Sequence, residues 1–378
     1  MTNKTVHIVG GGLAGSEAAW QVLRQGFSVV LHEMRGKVMT AAHQTDHLAE
    51  LVCSNSLKSL NPESAPGQLK YEMTAMDSLI LKSAMAAQVP AGQALAVDRV
   101  KFSAAVTAAL EAHPKFQRVC EEVQSIPTAE ELKTRDEVWI IATGPLTSSA
   151  LAEFLQKNYC GEVSRLAFYD AIAPIIAADS IDFDKGFFAD RYGKGSPDYF
   201  NIPLNKQEYE EFVNAVKTAD YMPLHDFENT KYFEACLPIE VMIERGPETL
   251  RFGPMKPVGL EDASGKRPYA CIQLRKENVS ATMFSMVGFQ TKMKWPEQSR
   301  IFSKLPSLEN AEFLRFGSVH RNTYLKSPEL LNTDLSFKSN PRVLLAGQVT
   351  GVRATRNPLV SGFWRDVRRS QNYWEYLF

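Results

Sequence analysis

A glycine turn near the N-terminus constrains the fold more than any other feature of the sequence. An apolar run from Val6 to Val9 leads into Gly-Gly-Gly-Leu-Ala-Gly at positions 10–15, and an Ala-rich helical stretch follows to Leu23. Between a strand and a helix, GxGxxG spacing lets the backbone approach a pyrophosphate, and the helix N-terminus offers free N–H groups. The turn therefore predicts a dinucleotide-binding domain. The predicted cofactor contacts in it are Gly10, Gly11, Gly12, Leu13, Ala14 and Gly15.

Later positions support the dinucleotide, and two of them favour FAD as its identity. A second apolar run ends at Glu33, about 20 residues after the turn, where a carboxylate can bind a ribose hydroxyl. Two further strand ends, Thr143-Gly144 and Gly347-Gln348, would meet an extended, two-part cofactor at separate points. Each of these two strand ends alone is also typical of an ordinary strand-to-turn junction, but together with the glycine turn they favour FAD over NAD.

The 378-residue chain is too long for one ordinary core, so about two domains are expected. Helical patterns occupy residues 68–87 and 102–111, whereas residues 165–315 are rich in Pro, Gly and aromatics, with alternating stretches at 269–274 and 283–287. An apolar strand at 343–346 returns the chain to the first sheet. We predict an α/β fold with a Rossmann-like, glutathione-reductase-like FAD-binding domain (1–165 and 318–378) and an inserted α+β domain (166–317).

Composition narrows the class of protein. No apolar run approaches the roughly 18 residues that cross a bilayer, and the chain enters a strand at once, so we expect a cytoplasmic protein without a membrane partner. Five scattered cysteines without CxxC spacing indicate free thiols. His43, Asp46 and His47 lie close together, but no metal is predicted there. The net charge is −1, yet residues 241–350 hold 16 Lys and Arg against 10 Asp and Glu, which permits an anionic partner.

From about Val6 to Val352 the sequence resembles the folate- and FAD-dependent tRNA (uracil-5-)-methyltransferases, the TrmFO family. The segments that carry the resemblance are GLAGSEAAW, ELVCSNS, VPAGQALAVDR, ATGPLTS, CLPIEVM, LRFGPMKPVGL, GFQTKMKW and HRNT. The resemblance implies formation of 5-methyluridine in the TΨC loop of tRNA. Methylenetetrahydrofolate would supply the methylene through N5 of the reduced flavin, and NAD(P)H would reduce the flavin again. No stable protein partner is predicted.

Two cysteines lie in these segments, Cys53 in LVCSNS and Cys236 in ACLPIE. A cysteine beside apolar residues is more often a small core residue than a nucleophile. Uracil C5, however, is a poor nucleophile until a group adds at C6, and a thiolate adds well. The resemblance implies that Cys236 attacks C6 and that Cys53 removes the C5 proton, although the residues themselves do not fix which thiol performs which step.

Other side chains are candidates for the folate and RNA contacts. His320, in VHRNT, would stack on the pterin or, equally well, hydrogen-bond at a domain junction. Basic residues among aromatics are typical of RNA recognition, whereas a single lysine on a solvated face is the ordinary alternative. The RNA-binding candidates are Arg251, Lys256, Lys292, Lys294 and Arg321.

The resemblance stops after Val352. The family continues with Glu-Gly-Tyr and a small-residue helix under the flavin, whereas this chain reads RATRNPLVSGFWRDVRRSQNYWEYLF. Residues 352–358 can be encoded GTG AGG GCT ACG CGG AAT CCN, which regroups to Glu-Gly-Tyr-Ala-Glu-Ser. We interpret this as a frameshift and expect weakened FAD binding. The alternatives to a tRNA methyltransferase are an rRNA uridine methyltransferase, a folate-independent flavin oxidoreductase and a frame-damaged, inactive flavoprotein.

Overall fold

The computed structural model describes residues 4–40, 42–160, 166–193, 196–222, 237–262 and 264–351, and for 166–170 and 320–323 it describes the backbone alone. The strands are β1 (Thr5–Val9), β2 (Ser28–Glu33), β3 (Ser56–Ser59), β4 (Gln88–Val89), β5 (Ala94–Val97), β6 (Phe116–Cys120), β7 (Glu137–Ile141), β8 (Leu166–Ile172), β9 (Ile175–Ala177), β10 (Phe187–Phe188), β11 (Tyr199–Leu204), β12 (Ala270–Lys276), β13 (Met283–Met286), β14 (Phe313–Arg315), β15 (Ser318–Tyr324), β16 (Ser336–Phe337) and β17 (Asn340–Leu345).

The α-helices are α1 (Leu13–Arg24), α2 (Ala65–Ala75), α3 (Leu79–Ala86), α4 (Arg99–Glu111), α5 (Ala129–Lys133), α6 (Ser149–Leu155), α7 (Lys206–Lys217), α8 (Ile239–Glu244), α9 (Trp295–Phe302) and α10 (Ser327–Leu330). Short 3-10 helices include Gly144–Leu146 after β7 and Gly347–Thr350 after β17. A helix with the length and apolarity needed to cross a bilayer is absent from the described part of the chain.

The first sheet has the order β16-β17-β7-β1-β2-β6. Its strands run parallel from β17 to β6, and β16 pairs antiparallel at one edge. Val6 and Ile8 of β1 are fully buried, and α1, α3 and α4 pack over this face of the sheet. Because the carboxyl ends of parallel strands meet at one edge, the turns after β1, β2, β7 and β17 come together there. This is the predicted Rossmann-like α/β architecture.

The second sheet is antiparallel, in the order β10-β11-β12-β13-β9-β14. Phe200, Ile272 and Phe284 face its core with almost no exposure, and residues of α7, α8 and α9 pack on them. The sheet uses residues 175–315, within the segment where an α+β insertion is predicted. The domain limits themselves remain a prediction.

Two smaller sheets accompany the large ones. Strands β8 and β15 pair antiparallel over seven residues, and β15 contacts the short helix after β7. Strands β3, β5 and β4 form a three-stranded sheet. The segment that carries Cys53 leads directly into β3, so this small sheet positions that thiol.

Candidate cofactor and active site

The glycine turn joins β1 to α1 in the way its spacing predicts. Gly10 has a positive φ of 100°, and its N–H donates to His32 O at 2.8 Å. At Gly15 an added Cβ would lie 1.8 Å from Gly10 O, so a side chain there would displace the turn. At Gly12, the N-cap of α1, a Cβ would meet no atom of the described residues within 4 Å. The protein itself needs glycine at 10 and 15, whereas at 12 the glycine leaves open space.

Among the described residues, no side chain caps α1, and the first turn of this helix holds no acidic residue. The N–H groups at the start of a helix have no partner within the helix and attract anions. At Gly144, where φ is 65°, an added Cβ would likewise have no neighbour within 4 Å in the part of the chain that the structure describes. A dinucleotide whose phosphates approach the turn fits these observations, because there is open space in front of Gly12 and Gly144 and the start of α1 is uncapped.

A cavity of about 520 Å³ opens in front of the turn. Its wall brings together the predicted cofactor contacts Gly10, Gly12, Leu13, Ala14, Glu33, Thr143, Gly144 and Gln348. Gly11, Gly15 and Gly347, which are also predicted contacts, do not belong to this wall. Gly11 N–H donates to Glu33, and a Cβ at Gly347 would lie 2.6 Å from the Ala14 methyl group. Assignment of all these residues to FAD remains a prediction.

Glu33, the predicted ribose ligand, belongs to a buried ion-pair network. Its Oε2 accepts from Gly11 N and from Arg35 Nη2, both at 2.8 Å, and its Oε1 accepts from Arg35 N at 3.0 Å. Arg35 is 1% exposed and also reaches Glu50 Oε2 at 3.4 Å. Burial alone would raise the pKa of Glu33, but the hydrogen bonds and charge of Arg35 outweigh it and lower that pKa. Glu33 thus holds Arg35 beneath the glycine turn, a role that the sequence analysis missed.

Cys53 lines the same cavity as the glycine turn. Its loop is held from both sides, since Arg99 Nη1 donates to Leu51 O at 2.5 Å and Arg275 Nη2 donates to Ser54 Oγ at 3.0 Å. Asn55, with no exposure, donates through Nδ2 to Val97 O and Lys276 O, both at 3.1 Å. These hydrogen bonds hold the loop of Cys53 to α4, β5 and β12.

Cys236, the second thiol that the sequence predicts to be catalytic, lies outside the described residues. The description resumes at Leu237, and Ile239 N donates to Gln290 O at 2.8 Å. Gln290 lines both the main cavity and a second one of about 290 Å³ that shares Val287 and Gly288 with it. The side chains of His320 and Arg321 also lie outside the description, as do residues 352–378, where the frameshift is predicted.

The remaining RNA-binding candidates differ in whether their positive charges are already paired with a carboxylate. Arg251 stacks on Tyr269, with its Cζ atom 3.6 Å from the ring centroid, and pairs with Glu248. The ammonium groups of Lys292 and Lys294 lie 3.5 Å and 3.3 Å from acidic residues, Glu244 and Asp220. Across the described part of the chain, no ion pair involves Lys256, which lines the second cavity. Lys256 is thus the best placed of these residues to meet a phosphate.

Four of the five cysteines lie within the described residues. Among the described residues, no disulfide joins Cys53, Cys120, Cys160 or Cys271, and burial raises the pKa of the Cys271 thiol to about 12. Such a thiol is a packing group. Among the residues that the structure describes, no three His, Cys, Asp or Glu side chains could hold a metal ion.

Sequence comparison identifies close relatives along nearly the whole chain. The family model described as glucose inhibited division protein A matches residues 5–362. A TrmFO from Moorella thermoacetica, named methylenetetrahydrofolate--tRNA-(uracil-5-)-methyltransferase, is 54% identical and aligns over 93% of this chain and 78% of its own. The TrmFO of Geobacter sulfurreducens is 53% identical over 97% of this chain and 82% of its own.

Structure comparison agrees on the fold. GidA from Aquifex aeolicus superimposes with a TM-score of 0.70 at 16% identity in one crystal form and 0.68 at 14% in another, and 95% of this chain is covered in both. This chain spans 62% and 64% of those two GidA chains. The Rossmann-like fold class predicted from the sequence is confirmed. Since relatives at 50% identity and above align with most of its length, the protein belongs to the TrmFO family.

Proposed function

We propose that this protein is an FAD-dependent methyltransferase that forms 5-methyluridine in tRNA, with methylenetetrahydrofolate as the carbon donor and NAD(P)H as the reductant. The relatives that are named for this reaction support the proposal. The cavity supports it too, because most of the predicted FAD contacts line its wall. The observation that carries it is the position of Cys53, because this residue lines the same cavity as the glycine turn. A flavin oxidoreductase that only transfers hydride needs no thiol there.

The residues that line the cavity have two tasks in this proposal. Some bind the dinucleotide, and others take part in the reaction. Backbone at Gly12 and Gly144 leaves room for the dinucleotide, and the uncapped start of α1 attracts its phosphates. When bound, FAD supplies the carrier for the methylene group and for the hydride. The protein must bring uracil C5 to that carrier, keep water away from it and manage one proton.

The thiols have complementary tasks in this proposal. Addition of the Cys236 thiolate to uracil C6 moves electron density to C5 and O4, so that C5 can form a bond to the methylene carbon. Cys53 then takes the proton from C5. The electrons of that C–H bond would break the bond between the methylene carbon and its carrier, which leaves an exocyclic methylene at C5. Hydride added to this methylene would complete the methyl group, and its electron pair would restore the C5–C6 double bond and expel the Cys236 sulfur. Arg99 and Arg275 keep the loop of Cys53 in place during these steps.

The RNA is proposed to be tRNA, with the uridine in the TΨC loop. A base that reacts at C5 must leave its stack, and unstacking costs least in a loop. Such an enzyme works where tRNA is found, which agrees with the cytoplasmic location expected from the sequence.

The test is to incubate the protein with FAD, NADPH, methylenetetrahydrofolate and unmodified tRNA, and to detect 5-methyluridine by mass spectrometry. Cys53→Ala is expected to lose the product, whereas Cys120→Ser, a half-buried thiol outside the cavity, is expected to keep it. Wild-type protein that binds FAD and oxidises NADPH but leaves tRNA unmethylated would contradict the proposal. Methylation of an rRNA fragment in place of tRNA would favour the rRNA alternative.

A further inference from the structure

His43 lines the cofactor cavity but has no part in the proposed reaction. It lies in the connection between β2 and the loop of Cys53. The structure shows what its ring can do, because its hydrogen bonds fix where its proton resides.

The neighbouring hydroxyl of Thr40 sets the tautomer of His43. Thr40 Oγ1 accepts from the backbone N–H groups of Ala42 at 3.3 Å and His43 at 3.2 Å. A hydroxyl has two lone pairs and one hydrogen, so with both lone pairs used it can only donate further. Its remaining contact is His43 Nδ1 at 2.6 Å, which must therefore accept. A neutral ring then carries its proton on Nε2.

The neutral state agrees with the surroundings of the ring. Burial, followed by the charge of Arg35, lowers the pKa of His43 to about 4. Glu50 and Glu33 act in the opposite direction, and Arg315 from β14 adds to the lowering. At neutral pH the ring therefore presents one N–H donor, at Nε2.

The Nε2 atom is available to a ligand. Among the described residues it makes no hydrogen bond, and it is not one of the polar atoms sealed in the protein without a partner. His43 forms part of the cavity wall, so a dinucleotide in the cavity lies beside this residue.

A continuous chain of hydrogen bonds connects the segment of His43 with the glycine turn. Gly11 N donates to Glu33, which binds Arg35, and Arg35 reaches Glu50. Glu50 in turn accepts from Gln44 N at 2.9 Å and from Thr45 N at 3.1 Å. The two residues that follow His43 are thus tied to the turn that is expected to meet the pyrophosphate.

We propose that His43 is a cofactor-binding residue whose Nε2–H donates to a phosphate oxygen of the bound dinucleotide. The inference rests on the proposed function in its choice of FAD as the dinucleotide. Thr40 is its positioning residue, because its hydroxyl keeps the ring proton on Nε2. A neutral donor at this point adds a hydrogen bond to the phosphate without another buried charge beside Arg35.

The test replaces His43 with two amide side chains, whose N–H groups occupy the positions of different nitrogens of the His43 ring. The amide nitrogen of His43→Gln reaches the position of Nε2, whereas that of His43→Asn reaches only the position of Nδ1. Apoprotein is titrated with FAD by flavin fluorescence. We expect near wild-type affinity for His43→Gln and about tenfold or greater weakening for His43→Asn, the usual cost of a hydrogen bond to a charged group. Thr40→Val is expected to weaken FAD binding similarly, and Thr40→Ser to retain it.

Riboflavin, which lacks phosphate, locates the contact. If Nε2 binds a phosphate oxygen, His43→Asn weakens binding of FAD but leaves binding of riboflavin unchanged. Equal weakening for both ligands would place the contact on the flavin or ribityl part and overturn the proposal, as would an unchanged FAD affinity in His43→Asn. Methylation of tRNA is measured separately at saturating FAD, so failure of the methyltransferase proposal is distinguished from failure of this one.

Discussion

The glycines of the turn have different physical reasons to be glycine. A Cβ at Gly15 would collide with Gly10 O in the protein alone, whereas a Cβ at Gly12 would enter open space. We therefore expect Gly12→Ala to fold with nearly normal stability but to bind FAD poorly, since its methyl group occupies the path of the phosphates. Gly15→Ala is expected to lose both stability and FAD. Thermal unfolding without FAD, followed by FAD titration, separates the two effects, and tight FAD binding by Gly12→Ala would contradict this interpretation.

Arg35 provides a test of the buried network. Replacing it with Ala leaves Glu33 and Glu50 without their cation, and loss of one partner of a buried pair costs about 3–5 kcal/mol. The free energy of unfolding in urea at pH 7 measures this loss. Lys206→Ala, which removes an exposed pair with Glu210, is the control and is expected to change little.

The pH dependence of the same variant checks its cause. The pKa of Glu33 is lowered in the folded protein, so its stabilising contribution is complete above its ordinary pKa of 4.5 and is lost as the pH falls through the folded value. Without Arg35, burial would dominate and raise that pKa. The stability difference between wild type and Arg35→Ala should therefore shrink as the pH is lowered from 7 towards 4. A constant difference would assign the loss to packing.

At the residue scale, the sequence predicts those side chains whose role depends on local spacing. The glycines and Glu33 follow from a turn and a fixed separation, and Cys53 follows from a family segment. Arg99 could not be predicted in this way, because its partner Glu277 lies 178 residues away in the chain and only the tertiary fold brings Nε to 2.6 Å from its carboxylate.

At the scale of elements, strand positions agree better with the sequence than helix limits do. The alternating stretches at 269–274 and 283–287 correspond to β12 (Ala270–Lys276) and β13 (Met283–Met286). The helical pattern at 68–87 does not form one helix, because Asp77 has a φ of 52° and separates α2 from α3. Ser78 then caps α3 by accepting from Leu81 N. The apolar periodicity of the sequence gives no sign of this break. The Asp77-Ser78 pair does indicate it, because such residues are preferred at the start of a helix.

Hydrogen bonds hold the loop of Cys53 against the strand β12. Asn55→Ala removes the amide that joins Val97 O to Lys276 O, so the loop should move relative to the second sheet. We expect kcat for methylation to fall by about tenfold or more, since small misplacements of a reacting group are costly, while KM for tRNA stays the same. Steady-state kinetics on the folded, FAD-loaded protein measure the split.

Asn201→Ala is the matched control for this prediction. Asn201 is also fully buried and donates to three backbone carbonyls, of Phe187, Ala189 and Tyr199, but it does not touch the loop of Cys53. It should lower stability without a selective fall in kcat. Equal kinetic losses in the two variants would show that Asn55 has only a structural role.

At the scale of the whole molecule, the net charge of −1 conceals a basic segment, but the structure shows that much of this charge is already paired. Arg251, Lys292 and Lys294 each lie beside a carboxylate, a fact that a count of charges cannot reveal. Lys256 differs, since it is unpaired within the described part of the chain and lines the cavity adjoining the main one.

Lys256→Ala is therefore expected to weaken binding of tRNA and to lower the slope of log Kd against log salt by about 0.7, the contribution of one phosphate contact in a single-stranded segment. Lys133→Ala, an exposed lysine on α5 paired with Glu130, is the control and should leave the slope unchanged. Fluorescence anisotropy of labelled tRNA over a range of salt concentrations measures both variants. Because one lost phosphate contact weakens binding to every RNA alike, an effect confined to tRNA would instead indicate that Lys256 reads the base or the fold of the RNA.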